Sequence, residues 1–387
     1  MTRVAHASSR KLDLRTATPF GISRWTHSEF ANYAVELRAG EHVGRGEAAP
    51  NRRYGESREE GMDLLADLAP EIADAEGPAG VEALCDRLAA SEGAAAPAWP
   101  ALRAGLSAAA WDLAGQQAGE PVWRMLGLER PSVHTSYTIA IGAPEQMRAQ
   151  ARAASAFGTL KVKLGFDGDL ELARALARAL PETTFRYDAN EGWSRERAAA
   201  SLAVLADLGA ELVEQPLPAA DTDGAAWLSE RASVPLLADE AVLTIDELDA
   251  VAQIYDDVVV KLSKAGGIAS GFALVSDCAE RGLRVLLGCM VESSLGIAAG
   301  LQLADLADHV DLDGAAVGRG PVHRDRRGGR SVHRLERARV GGAVQRVDRR
   351  PRSPAGRAPP ALRPARAPRR GRRPCARPPR TRPRRRS

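Results

Sequence analysis

The chain has 387 residues, of which 44% are apolar and 27% charged. That suits a soluble chain of two domains at roughly 100–200 residues each and excludes a wholly disordered chain. The net charge of +3 averages two unlike parts: from Arg319 onward there are 25 Arg, no Lys and 3 acids, which leaves 28 basic and 47 acidic residues before it.

No run of about 18 apolar residues exists, so no membrane span is expected. The first 20 residues lack the apolar core of a secretory signal, and Cys85, Cys278, Cys289 and Cys375 lack the close spacing of a zinc site or disulfide framework. A reducing, cytoplasmic setting is the expectation.

In chain order, residues 1–130 mix strand-like runs such as Tyr33 to Leu37 with helical segments. The Ala- and Leu-rich stretch from Pro100 to Gly115 reads as a helix ending on a glycine stop. These residues form the first domain. Over 131–316 short apolar runs alternate with helical stretches, about every 25 residues. The runs are His134–Ile141, Leu160–Leu164, Phe185–Ala189, Glu211–Glu214, Pro235–Asp239, Val258–Leu262, Arg284–Gly288 and His309–Asp313. Near-continuous apolar strands alternating with helices mean parallel β/α units. Eight units fit a (β/α)8-type barrel, and an open doubly wound sheet has the same local pattern. No G-x-G-x-x-G follows the first strand and there is no P-loop, so nucleotide binding has little support. Residues 317–387 are rich in Arg, Pro, Gly and Ala, with no apolar period, and read as a disordered basic tail.

Lysine is scarce. Of only five in the chain, four fall in two short motifs, Lys161-Val-Lys163 and Lys261-Leu-Ser-Lys264. Arg cannot act as a base in a protein, whereas Lys can, which is a chemical reason to keep Lys at a few positions. In a parallel barrel, the C-terminal strand ends form the active-site mouth. Every run from the second onward delivers an ionisable group there. Asp188, Glu214 and Asp239 end three consecutive runs, 26 and 25 residues apart. Three converging carboxylates need a cation between them. Oxygen ligands without His or Cys favour Mg2+, with Mn2+ the other hard option. Lys163 and Lys261 fall on opposite sides of such a barrel. Two bases there can take a proton from one face of a bound carbon and return one to the other. A nearby second lysine and a metal are expected to lower the pKa of the base.

These motifs, with Asp188-Ala-Asn190, Glu214-Gln-Pro216, Asp239-Glu240, the Ala-Gly-Gly267 that continues the second lysine motif and Gly288-Cys-Met-Val-Glu292-Ser, resemble the muconate-lactonizing-enzyme-like subgroup of the enolase superfamily, most closely its dipeptide epimerases. The likeness covers roughly residues 10 to 315. It implies an α/β fold: a modified (β/α)7β TIM-type barrel with an α+β capping domain. It also implies metal ligands Asp188, Glu214 and Asp239, acid/base lysines Lys163 and Lys261, and a homo-oligomer. The subgroup includes dipeptide epimerases, N-acylamino acid racemases, o-succinylbenzoate synthases and muconate cycloisomerases. Asp311 and Asp313, two residues apart on one strand face, would bind a substrate ammonium group. That favours a small-molecule dipeptide substrate. Arg24, where the resemblance places a mobile capping loop, would meet a second substrate carboxylate. Thr138, Lys161, Lys264 and Glu292 complete the substrate-binding set.

After Asp313 the resemblance ends in the Arg/Pro string, read as an out-of-frame stretch beginning near Ala316. Two other functions remain at this stage: a Schiff-base lyase using the strand-six lysine, and a nucleic-acid-binding protein acting through the tail. The tail carries no aromatic residue for base stacking, which weighs against nucleic acid.

Overall fold

The computed structural model describes residues 3–92 and 99–319. The greater part of the basic tail, and its expected disorder, lie outside the described residues. No helix among the described residues is long and apolar enough to cross a membrane.

The first domain is an antiparallel sheet of β1 (His6–Ile22), β2 (Trp25–Ala39) and β3 (His42–Ala48), backed by α1 (Arg58–Ala73), α2 (Gly77–Glu92) and α3 (Trp99–Ala118). Alternation along β2 turns Tyr33, Val35 and Leu37 onto Leu65, Leu68 and Ile72 of α1 and Leu102 and Leu106 of α3, forming one apolar core. Gly44 and Gly46 of β3 let α3 lie directly on the sheet, because a Cβ at either would collide with the α3 backbone. Glu56 fixes the start of α3 by accepting the Ala101 N–H at 2.8 Å, which satisfies a first-turn donor.

The second domain is an eight-stranded parallel sheet in sequential order: β4 (Tyr137–Ile139), β5 (Thr159–Lys163), β6 (Thr184–Asp188), β7 (Leu212–Glu214), β8 (Leu236–Ala238), β9 (Asp257–Lys261), β10 (Arg284–Gly288) and β11 (His309–Asp311). All eight expected strands are present. The sheet curls into a nearly closed barrel, and its seam is stitched by few bonds. Ser136 N donates to Val310 O at 3.1 Å, Leu312 N to Thr135 Oγ1 at 2.8 Å, and Thr138 N to Asp313 Oδ2 at 2.6 Å. The open sheet considered from the local pattern is thereby set aside.

Along each barrel strand one set of side chains packs outward on the helices, among them Leu160, Val162, Tyr187, Val213, Val258, Val260, Val285 and Leu287. The alternate set points inward. Its lower members, Leu212, Leu237, Val259 and Leu286, form an apolar floor. Its upper members are polar. After β11 the chain turns back to the first domain, where β12 (Gly318–Arg319) pairs with Thr16 and Arg15 of β1.

Candidate active site

Strand register assembles the polar layer. Lys163 pairs with Asp188 and Asp188 with Glu214, so three charged residues from adjacent strands share one rung. On the other side Gly288 pairs with both Lys261 and Asp311. Gly288 leaves room for the lysine, since a Cβ there would sit 3.3 Å from Lys261 Cε. Asp239 lies one residue past β8. Gln215 holds it there by accepting the Asp239 N–H at 3.0 Å and the Ala241 N–H at 3.2 Å.

The charges interlock. Lys163 Nζ lies 2.6 Å from Asp188 Oδ2, and Lys261 Nζ lies 2.7 Å from Asp239 Oδ2. Lys264 Nζ donates to both Asp239 Oδ1 and Asp239 O at 2.6 Å. Lys161 Nζ reaches three acids: Asp188 at 3.2 Å, Glu214 at 2.8 Å and Asp311 at 3.0 Å. All four lysines and all four of these carboxylates are buried.

Burial works against each charge, and the partners decide the outcome. Lys161 is desolvated, yet Asp311, Glu214 and Asp188 raise its pKa well above the ordinary lysine value. Lys261 is likewise desolvated and likewise raised, by Asp239 and Glu214. This differs from the depression expected for a base. The neighbouring Lys161 does pull Lys261 down, but the carboxylates outweigh it. Lys264 is lowered by its burial. Asp188 is held below its usual value by Lys163 and Lys161 against burial. Burial and the charge of Asp188 push Glu214 well up.

The donor set fits a hard divalent cation. Asp188, Glu214 and Asp239 offer only oxygen, each at most 1% exposed. Glu214 Oε2 is ion-paired with the Lys161 ammonium at 2.8 Å but lies outside hydrogen-bond geometry, so it keeps lone-pair capacity for a cation. Among the described residues no three His, Cys, Asp or Glu side chains form a ready-made ion cage. Lysine ammonium groups stand between the carboxylates, so a bound ion would take over contacts those amines make here.

The remaining expected residues fall around this centre. Asp311 is spoken for by Lys161, and Ser136 Oγ also donates to it. Asp313 takes the Thr138 N–H and makes no ion pair among the described residues; burial and the Asp311 charge raise it to about 7. Thr138 therefore serves the site through both its backbone N–H and its side-chain hydroxyl. Glu292 is buried against the cap, accepts the Met290 N–H at 3.0 Å, and is raised to about 8 by burial and by Glu47. Arg24 does reach the mouth, but not with a free guanidinium. It donates at 2.7 Å each to Asn190 O, Glu191 and Glu240. A substrate carboxylate would have to compete with these acceptors.

Sequence reasoning missed Arg53, which donates to Glu191 at 3.0 Å, and Glu191 itself, which joins Arg53 to Arg24. Burial opposes the Glu191 charge, but Arg53, the Ala219 N–H and Arg24 hold its pKa below the usual value. A local signal for this corner lies in the backbone. Asn190, Glu191 and Gln215 have positive φ angles of 43°, 66° and 34°, a strain that collects at functional strand ends.

Residues 146–327 match the family described as Enolase C-terminal domain-like. The match runs past Asp313, where the sequence reading placed its end. The chain is 35% identical over 277 residues to the L-Ala-D/L-amino acid epimerase of Pedosphaera parvula, covering 70% of this chain and 78% of that one. It is 36% identical over 300 residues to the L-Ala-D/L-Glu epimerase of Escherichia coli, covering 77% and 89%. The dipeptide epimerase from Methylococcus capsulatus, solved with Mg and the dipeptide L-Arg-D-Lys, superposes with a TM-score of 0.74 at 31% identity, over 82% of this chain and 92% of that one. The chain therefore belongs to the enolase superfamily and is an isomerase of the epimerase and racemase class.

Proposed function

We propose that the chain is a magnesium-dependent dipeptide epimerase that inverts the carbon next to the C-terminal carboxylate by 1,1-proton transfer. The observation that carries this reading is the placement of two amines. Lys163 on the second barrel strand contacts Asp188, and Lys261 on the sixth contacts Asp239. A proton-transfer group thus stands on either side of the carboxylate cluster. The dipeptide epimerases among the relatives support the substrate class.

Asp313 supports the same class. It is a buried acid without an ion pair among the described residues, beside a second acid, Asp311. A substrate ammonium group is the natural complement. A wholly anionic substrate of the muconate or succinylbenzoate kind would meet like charge there.

A magnesium ion held by Asp188, Glu214 and Asp239 would supply positive charge that stabilises the negative charge growing on the substrate carboxylate. Lys163 takes the α-proton from one face, and Lys261 gives a proton to the other. In the reverse direction the two exchange roles. Lys261 remains protonated while Asp239 and Glu214 keep their full charge; once those acids are neutralised, it can serve as a base. Lys161 and Lys264 hold the acids in place. Glu292, raised to about 8, is protonated at neutral pH and can donate a hydrogen bond beside the reacting end.

The test is incubation with a panel of dipeptides in deuterated water with magnesium, then with manganese, following the α-proton by NMR. The expected result is loss of the α-proton signal with inversion. No exchange with any dipeptide or N-acylamino acid overturns the reading.

A further inference from the structure

The first N–H groups of a helix have no partner within it. Two barrel helices begin just beyond the strand ends that carry the site, and residues of the first domain satisfy N–H groups at both starts, beside the Ser293 hydroxyl that accepts the Leu295 N–H of the second. The helix Ile268–Glu280 is preceded by Gly267, which has no side chain to cap it. The Ile268 N–H instead donates to Ser107 Oγ of α3 at 3.0 Å. The Ser107 hydroxyl in turn donates to Glu82 of α2. Both residues are buried. The turn before this helix nests against α3. A Cβ on Gly266 would lie 2.8 Å from Arg103 Cδ, and one on Gly267 would strike Ser107. That turn leads directly from Lys261 and Lys264.

The second helix, Ser294–Leu301, follows Glu292. Glu47 of β3 accepts the Ser293 N–H and the Gly296 N–H, both at 3.1 Å, and the Ser293 hydroxyl as well. Asn32 of β2 secures Glu47 at 2.7 Å and also donates to Val291 O at 2.9 Å. The Glu292 carboxylate leans on Gly296, where a Cβ would strike it. Fixing the Gly296 N–H therefore fixes the surface against which Glu292 rests.

We propose that Ser107 and Glu47 are positioning residues: the first domain lends its side chains as the caps of two barrel helices, and so holds Lys261, Lys264 and Glu292 in register for proton transfer. The first domain is then a structural part of the catalytic layer as well as a cover over it. Among the described residues neither makes a hydrogen bond or ion pair with Lys163, Lys261, Asp188, Glu214 or Asp239, and Glu47 acts on Glu292 only through its charge. The effect on turnover rests on the epimerase reading above; the effect on the helix starts does not.

The experiment pairs hydrogen exchange with kinetics on the full chain, using Ser107→Ala and, independently, Glu47→Gln. In Ser107→Ala the Ile268 amide should exchange at least about fivefold faster, the opening expected when a capping side chain is lost, while the Ser293 and Gly296 amides keep their rates. In Glu47→Gln the pattern should reverse. Each variant should lose about tenfold or more in kcat with KM nearly unchanged, because a base displaced by about 1 Å costs on the order of 100-fold. Unchanged exchange at these amides overturns the proposal, as does a rise in KM with kcat intact. The exchange measurement needs no substrate, so it still decides the matter if no dipeptide is turned over.

Discussion

Lys161 is the hinge of the charge balance, and replacing it with Met keeps most of its length while removing the ammonium. The loss strands two buried acids, Glu214 and Asp311, which lie 2.8 and 3.0 Å from Nζ, and leaves Asp188, at 3.2 Å, with Lys163 alone. At about 3 Å and an effective dielectric of 20, each contact is worth about 5 kcal/mol before desolvation. Desolvation of the ammonium and proton uptake by the acids left behind offset most of this, and removing one partner of a buried cluster typically costs about 3–5 kcal/mol. The cost depends on pH. Without the ammonium the acids have raised folded pKa values, so the folded state binds more protons than the unfolded one, and stability falls as pH rises. Lys161→Met should therefore lose more in urea unfolding at pH 8 than at pH 5. Magnesium should stabilise the variant more than the wild type, because no ammonium competes for Glu214. A variant as stable as wild type in chelator at pH 8 would refute the account of the cluster.

His309 is depressed to about 4 by burial and the Arg186 guanidinium, so the unfolded state binds more protons between that value and the ordinary 6.5. Stability is lost as pH falls through this window, and His309→Gln, which keeps an acceptor for Arg186, should flatten the slope; an unaltered slope contradicts it. Gly267→Ala must place a side chain at φ 114° against Ser107, and should cost about 2–4 kcal/mol in urea unfolding; a change under about 0.5 kcal/mol contradicts the tight turn. Arg24→Met takes an ion-pair partner from Glu191 and Glu240, whose side chains are only 9% and 3% exposed, and should cost about 2–4 kcal/mol in urea unfolding as well as raising KM. A fall in kcat alone would place Arg24 at the reacting end instead.

The barrel was legible because its code is local. The strands put apolar residues outward, and on β7 and β9 the inward positions pass from apolar at the floor to charged at the rim, whereas β5 and β6 carry charge at both levels. Val259 and Lys261 on β9, and Leu212 and Glu214 on β7, carry that gradient in a few letters. The buried acids and lysines of the rim were legible for the same reason, since each lies at or within three residues of a strand end. What was not legible depends on contacts between domains. Arg53 and Glu191 are 138 positions apart, and Ser107 and Ile268 are 161 apart. Nothing near either residue in the sequence announces the other. The raised Lys261 pKa was missed for a related reason. The expected depression rests on a neighbouring lysine together with a bound metal, and the Asp239 and Glu214 charges that such a metal would neutralise outweigh Lys161 here.

The central claim is that two lysines serve opposite faces of one carbon, and single replacements followed in deuterated water test it most directly. With one amine gone, the other can still remove and return a proton on its own side. Lys261→Ala should therefore exchange the α-proton of one configuration without inverting it, and Lys163→Ala should do so for the opposite configuration. Inversion by either variant, or exchange of the same configuration by both, would contradict the account.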